Sequence, residues 1–409
     1  MIFMTMSEHD SKVLLNRISV KARGLTAQRS GHGRRALLSI AGFVLPAFAG
    51  SQQIPPPVQL QVPSPEFRSL ASEAAEARQN NNVPRAVQLY RQALTLDPDW
   101  PDGWWYLGLF AYSSSQYTSA SDDLTHYLQL VPKAGPAFAM RGLCEFEFGD
   151  YNSSLSDIRH AVALGAVNNS HNQQILLFHE AILLTRASRF EEALSVLETL
   201  AGASPPDSQL LTAIGLAGLR IPILPAQAVA AQRQPAIAAG QAAWSYFKGQ
   251  PEDAENAFAA LFSQYPSLTD AHYFYAYLLF AHSPANAIPQ LRQELRLDPN
   301  NVSALILMAW CDVLDGDDYD ALPYARLAAQ LAPSRFMAQL DLGRALVGSD
   351  DVSEGLHHLL EAQKLQPDSL EVHLGLAIAY AKSDQPLLAR RERLTALAIS
   401  GSNPVYGRQ

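Results

Sequence analysis

Cysteine is nearly absent from this chain, with two among 409 residues, too few for a disulfide scaffold or a cysteine-based zinc site. Charge is sparse as well: Asp, Glu, Lys and Arg make up 17%, which argues against long disordered or coiled-coil character. No apolar run reaches the ~20 residues that a membrane-spanning helix requires. There is no phosphate-cradling glycine loop and no Gly-x-Ser-x-Gly turn. His179-Glu180 lacks the second histidine of a helical zinc-protease site. Basic residues are short in the body of the chain. Residues 1–49 carry seven Lys/Arg against two Asp/Glu, and the remainder carries 23 against 37, for a net charge of −9. An acidic body disfavours nucleic acid or anionic membrane as the main partner. What is abundant is apolar: 48% hydrophobic residues, enough for a large buried core.

The amino terminus has the pattern of a targeting segment. Arg34-Arg35 precede the apolar run Ala36–Pro46, which ends in Ala47-Phe48-Ala49 before Gly50-Ser51. A positive flank, a short apolar stretch and a small-x-small exit predict a secretory leader over 1–49, cleaved near Ala49. The paired arginines also weakly resemble a twin-arginine export signal. The mature chain is thus expected to be periplasmic or secreted, with no integral membrane segment. Residues 50–66 are rich in proline and glutamine without helical period and predict an extended linker.

From about residue 67 a period near 34 runs to about 399. Each unit holds one small residue in a first apolar-periodic segment, a second twelve residues on, and often a proline twelve further. Ala74, Ala86 and Pro98 begin the series, followed by Gly108, Ala120 and Pro132; Ala377 and Ala389 close it. Antiparallel helices approach closely only where small residues face each other. Proline then ends the second helix of each pair. A single pair cannot bury its apolar face, so the units must stack. The stretch 208–234 departs from the pattern: Ile221-Pro222-Ile223-Leu224-Pro225 falls where a second helix should start. It predicts a degenerate unit, either packed or bending the chain between units at 67–207 and units at 235–409.

This pattern resembles the tetratricopeptide repeat family, most openly at Trp104, Leu107, Gly108, Tyr117, Ala120, Leu124, Tyr127 and Pro132, and at the exit Leu297-Asp298-Pro299. The resemblance implies an all-α fold: a right-handed α-solenoid of stacked antiparallel helix pairs, whose first helices line a concave groove. It places the inward residues three before, one after and four after the first small residue. Those places hold Trp105, Tyr112, Phe146, Phe178, Tyr246, Tyr273, Tyr277, Phe280, Trp310 and Arg344 as partner-binding candidates. Arg344 is the one inward residue of the type by which some family members clamp terminal carboxylates. Places where others carry an asparagine ladder hold Tyr106, Met140, His179, Gly240, Phe274, Leu307, Asp341 and Gly375. The groove is therefore expected to take an apolar helix or segment of a partner protein.

Nothing in the sequence calls for a cofactor or a metal. His357-His358 are adjacent, so on a helix they point about 100° apart. The acidic run Asp315–Asp320 lacks the oxygen spacing of a calcium loop. Cys144 and Cys311 lie in distant units and are expected to be free, buried thiols. The sequence reads as a non-catalytic scaffold for a protein partner in the cell envelope. The alternatives are a carrier of a small apolar ligand or lipid in the same groove, an enzyme subunit acting on envelope polymers, and self-association in which one copy's groove receives residues 50–66 of another.

Overall fold

The computed structural model describes residues 64–165, 170–201 and 206–402. The leader and the linker up to residue 63 lie outside these. Pro65 and Glu66, assigned to the linker from sequence, instead open the first helix. The described residues hold nineteen α-helices and no strand, in two compact units divided between Ala166 and Val167. The division falls upstream of 208–234, which is interior to the second unit.

The first unit has three antiparallel pairs: α1 (Pro65–Gln79) with α2 (Val83–Leu96), α3 (Pro101–Ser113) with α4 (Tyr117–Leu130), and α5 (Gly135–Phe148) with α6 (Tyr151–Ala163). Helix starts follow from capping chemistry. Ser64 Oγ accepts from the Phe67 N–H at 3.1 Å, with Pro65 at the first helical position. Within each pair the turn has one left-handed residue, at Asn81, Ser115 and Gly149. The next N–H then reaches back five residues, as from Asn82 to the Ala77 carbonyl at 2.8 Å and from Gln116 to Ala111 at 2.9 Å. One core cluster gathers around Tyr90, whose ring stacks on Trp100 at 5.5 Å, while Phe67 meets the same indole edge-on at 5.2 Å.

The second unit runs through α7 (Ser170–Arg186), α8 (Phe190–Leu200), α9 (Ser208–Gly218), α10 (Ala230–Phe247) and α11 (Pro251–Gln264). It continues with α12 (Ala271–Phe280), α13 (Pro284–Leu297), α14 (Val302–Asp315) and α15 (Asp318–Leu331). Last come α16 (Phe336–Gly348), α17 (Val352–Leu365), α18 (Leu370–Lys382) and α19 (Pro386–Ser402). The paired small residues do what the period requires. Ala181, Ala193, Ala242, Ala254, Ala276, Ala287, Ala309, Ala321 and Ala389 all have 0% exposure, leaving no room for a larger side chain.

The departure at 208–234 has a local explanation. After α9 the usual turn forms: Arg220 is left-handed with φ 54°. The Ile221 N–H then reaches the Leu216 carbonyl at 2.9 Å. Pro222 follows at once and Pro225 three residues later, and the chain makes only a short 3₁₀ turn at Pro225–Gln227. The second helix is missing, and α10, which starts five residues before the expected boundary at 235, packs on α9 in its stead. The approach is backbone to backbone. A Cβ on Gly215 would lie 1.8 Å from the Ala236 carbonyl oxygen, and one on Gly240 would lie 2.0 Å from that of Leu211. Phe274 of α12 fills the space beside Gly218 and is itself 0% exposed. The stretch is packed, not open.

Buried polar groups fix the starts and ends of two further elements. Glu294 of α13 is 0% exposed and accepts from the Asp270 N–H at 2.7 Å and the Tyr273 N–H at 3.1 Å, capping α12. Asn301 donates to Glu294 at 3.2 Å and to Asp270 at 2.9 Å. In the last pair, His373 Nδ1 lies 2.6 Å from Glu392 Oε2 and its Nε2 lies 2.8 Å from the Pro367 carbonyl oxygen. Both ring nitrogens thus face acceptors.

The close crossing yields a sharp prediction. Gly215→Ala forces α9 and α10 apart and lowers the unfolding free energy by about 3 kcal/mol. Gly401→Ala, where nothing lies within 4 Å of the added Cβ, leaves it unchanged or slightly higher. Denaturant titration followed by circular dichroism measures both. Equal effects at the two positions contradict the packing described.

Candidate functional site

In the first unit the inward aromatics each lean on a tyrosine of their own pair. Trp105 lies 5.2 Å from Tyr127, Tyr112 lies 5.8 Å from Tyr117, and Phe146 lies 5.7 Å from Tyr151. All three are half-buried, so each retains an accessible face. Phe178 on α7 is half-buried too.

In the second unit the candidates divide. Tyr246, Tyr277, Phe280 and Arg344 are half-buried. The Tyr246 hydroxyl donates to the Leu278 carbonyl at 2.5 Å and lies 2.5 Å from His282 Nδ1, which ties α10 to α12. Tyr273 and Trp310, expected to face a partner, are instead core residues at 4% and 6% exposure. The reason is a charged cluster that the repeat pattern does not announce. Glu191 at the start of α8 pairs with Arg220 at 2.5 Å and accepts from the Tyr273 hydroxyl at 3.2 Å. The Arg220 guanidinium covers the Tyr273 ring at 5.3 Å and the Phe190 ring at 4.7 Å. Burial pushes the Tyr273 hydroxyl well above the usual phenol range, and Glu191 adds to it. Burial alone would raise the Glu191 carboxyl, but Arg220 beside it, helped by Arg335, holds it below the usual range. Trp310 sits in the cluster of Leu340, Leu359 and Leu376, with the Arg344 guanidinium 5.2 Å over its ring.

Two further polar groups belong to this region. Asp341, at a place where related repeats carry asparagine, is 1% exposed, and neither carboxylate oxygen has a hydrogen-bond partner. Burial pushes its carboxyl far above the usual range, partly offset by Arg344 and Arg335. Arg335 donates to Ser303 Oγ at 3.0 Å. Accessible faces thus remain at Trp105, Tyr112 and Phe146 in the first unit, and at Phe178, Tyr246, Tyr277, Phe280 and Arg344 in the second.

The chemistry that the sequence set aside has clear positions. Among the described residues no group of three or more His, Cys, Asp or Glu could hold a metal ion. The acidic turn Gly316–Asp320 forms a shallow cleft of about 220 Å³ with Gly348. Cys144 and Cys311 are free and buried, and burial pushes the Cys144 thiol up to about 12. A second shallow cavity, about 310 Å³, lies in the first unit between Arg91, Leu94, Trp104 and Asp123. Trp104 stacks on His126 at 4.3 Å, and burial raises Asp123 to about 6. No described helix is long and apolar enough to cross a membrane.

Helix hairpins stacked through paired small residues, with a left-handed turn residue inside most pairs, define a helical-repeat protein of the solenoid class. The tetratricopeptide repeat profile matches residues 72–134 and 340–404. Those two stretches are tetratricopeptide repeats. A heat-shock protein cognate co-chaperone, sgt12 of Aspergillus fumigatus, is 33% identical over 115 residues, which is 27% of this chain and 33% of that protein. The chain therefore spans about a third of the length of that relative. Among solved structures, MamA from Desulfovibrio magneticus RS-1 is 18% identical over 42% of this chain and 97% of its own, with a TM-score of 0.38. The anaphase-promoting-complex assembly Cut9–Hcn1 is 13% identical over 81% and 66%, with a TM-score of 0.35. Yeast Tom70 is 13% identical over 83% and 98%, with a TM-score of 0.26.

The buried acids predict the pH response. Burial raises Asp123 and Asp312 to about 6, Glu145 to about 7, and Asp341 above its ordinary value. Unfolded, these carboxyls titrate near 4. Below that value both states are protonated. As pH climbs through 6 and 7 the unfolded chain releases protons more readily, and stability falls. Glu191 and Glu392 act oppositely, their contribution being lost only below about 4.5. Thermal unfolding should therefore give its highest Tm near pH 5, not near pH 7.5. Asp341→Asn should raise Tm by about 2–4 °C at neutral pH and by nothing at pH ~3.5.

Proposed function

We propose that the protein is a non-catalytic scaffold that holds an apolar helix or extended segment of a partner protein. The contact surface is the aromatic row on the first helices of its repeats. The observation that carries this reading is the division among the inward residues. Tyr273 and Trp310 are packed away, whereas Tyr246 on α10, Tyr277 and Phe280 on α12, and Arg344 on α16 keep accessible faces. Those faces suit a ligand that lies across several pairs. A carrier of a small apolar ligand is less well supported, because the ring positions that would enclose such a ligand are filled by Tyr273, Trp310 and the Glu191–Arg220 pair. Export belongs to the same proposal, with cleavage near Ala49 releasing the repeats into the cell envelope where the partner resides. N-terminal sequencing of the envelope form tests that step.

Binding is tested by affinity capture with the tagged full chain, beside Tyr277→Ser/Arg344→Glu and Tyr112→Ser variants whose helicity is checked by circular dichroism. Loss of two accessible contacts should weaken the captured partner about tenfold or more. Tyr273→Glu should fail through misfolding instead, since it places a second acid against Glu191 in a buried site. Undiminished capture by the folded double variant moves the binding surface elsewhere. A small apolar molecule released from the purified chain in native mass spectrometry favours the carrier.

A further inference from the structure

The last helix presents a face that the repeat pattern does not require. Leu387, Leu394 and Leu397 of α19 are 81%, 56% and 68% exposed. A helical wheel puts them on one side together with Arg390, while Arg391 and Arg393 flank that side at about 80° in either direction. Ala389, Glu392 and Ala396 make the opposite, buried side. The helix's single acid is withdrawn from the surface: Glu392 is 3% exposed, held by His373 at 2.6 Å and by Arg391 at 2.8 Å, which leaves Arg390 and Arg393 as the arginines of the exposed side without that partner. From Pro386 to the last residue the sequence holds four arginines and one acid, although the whole chain carries −9. The first described helix, α1, is by contrast polar on its exposed side, with Ser69, Ser72, Glu73 and Glu76.

We infer that the exposed face of α19 seats on an anionic phospholipid surface, leucines in the headgroup–acyl boundary and arginines among the phosphates. The arrangement of charge selects this occupant. A leucine stripe bordered by arginines on both sides is the pattern of a helix lying in the plane of a membrane interface. A second copy packed face to face would set arginines against arginines. The outer face of α1 in another copy offers glutamates but no apolar residue to cover the leucines. Three leucines on one convex helix also fall well short of the ~800 Å² that each side of a stable protein interface buries. The acidic body does not forbid the contact, because charges beyond a Debye length of about 8–10 Å are screened. The inference is independent of the partner-binding surface, which lies on other residues.

Co-sedimentation of the full chain with phosphatidylcholine vesicles, with and without phosphatidylserine, tests it. Binding should require phosphatidylserine and fall about tenfold or more in high salt. Arg390→Glu/Arg393→Glu and Leu394→Gln/Leu397→Gln should each abolish it with helicity unchanged, since all four side chains are exposed. A fluorophore attached through Leu397→Cys, in a chain whose own cysteines are buried, should shift to the blue on those vesicles alone. The inference is overturned by equal binding to neutral vesicles, by undiminished binding of the folded variants, or by absence of binding to phosphatidylserine vesicles. A dimer or a captured acidic protein that depends on the same residues, without vesicle binding, overturns it equally.

Discussion

Two helix backbones in contact leave no space between them for a side chain, and every level of this structure inherits that constraint. It sets alanine, glycine or serine at paired places in each repeat, and these places are almost all at zero exposure. It fixes the turn, because the second helix meets the first only if the chain reverses within a few residues. A left-handed residue and an N–H reaching back five positions accomplish this in most pairs. Where the second helix is missing, the constraint is met by other means. Gly215 and Gly240 let α9 and α10 touch directly, and the array continues without a gap.

Close packing also decides how charge is treated. The second unit takes Glu191, Arg220, Glu294 and Asp341 out of water, and only the first three receive partners there. Glu191 has a guanidinium and a phenol, and Glu294 has two backbone N–H groups and an asparagine. Asp341 has none, so its neutral form is the one the interior tolerates. The result is an interior in which some acids are ionised and stabilising while others are a standing liability at neutral pH.

The repeat and its register were legible because the small-residue rule acts between residues twelve apart and needs no knowledge of the remainder. The free buried cysteines followed from the same register. The prolines at 222 and 225 fall where the chain makes only a short 3₁₀ turn. What packs there in place of a second helix was hidden, since nothing in the spacing says that α10 would occupy the vacated position. The offsets that selected Tyr273 and Trp310 located the correct helix face but not its covering. Arg220 reaches Tyr273 across 53 positions of sequence and Glu191 reaches it across 82, contacts that no periodic pattern encodes. Asp341 stood among the inspected positions, yet its isolation depends on which side chains surround it.

The Glu191–Arg220–Tyr273 contact changes how this half of the chain should come apart. An array in which each repeat touches only its neighbours frays from its ends, one unit at a time. Here the first turn of α8 is completed by a residue four helices later, so unzipping cannot stop between them without stranding a buried charge. The segment from Phe190 to Phe280 is thereby bound into one cooperative block, with repeats beyond it free to open in sequence. On a ribosome, the same block remains unfinished until Tyr273 has emerged, and the glutamate made 82 residues earlier waits in water for it.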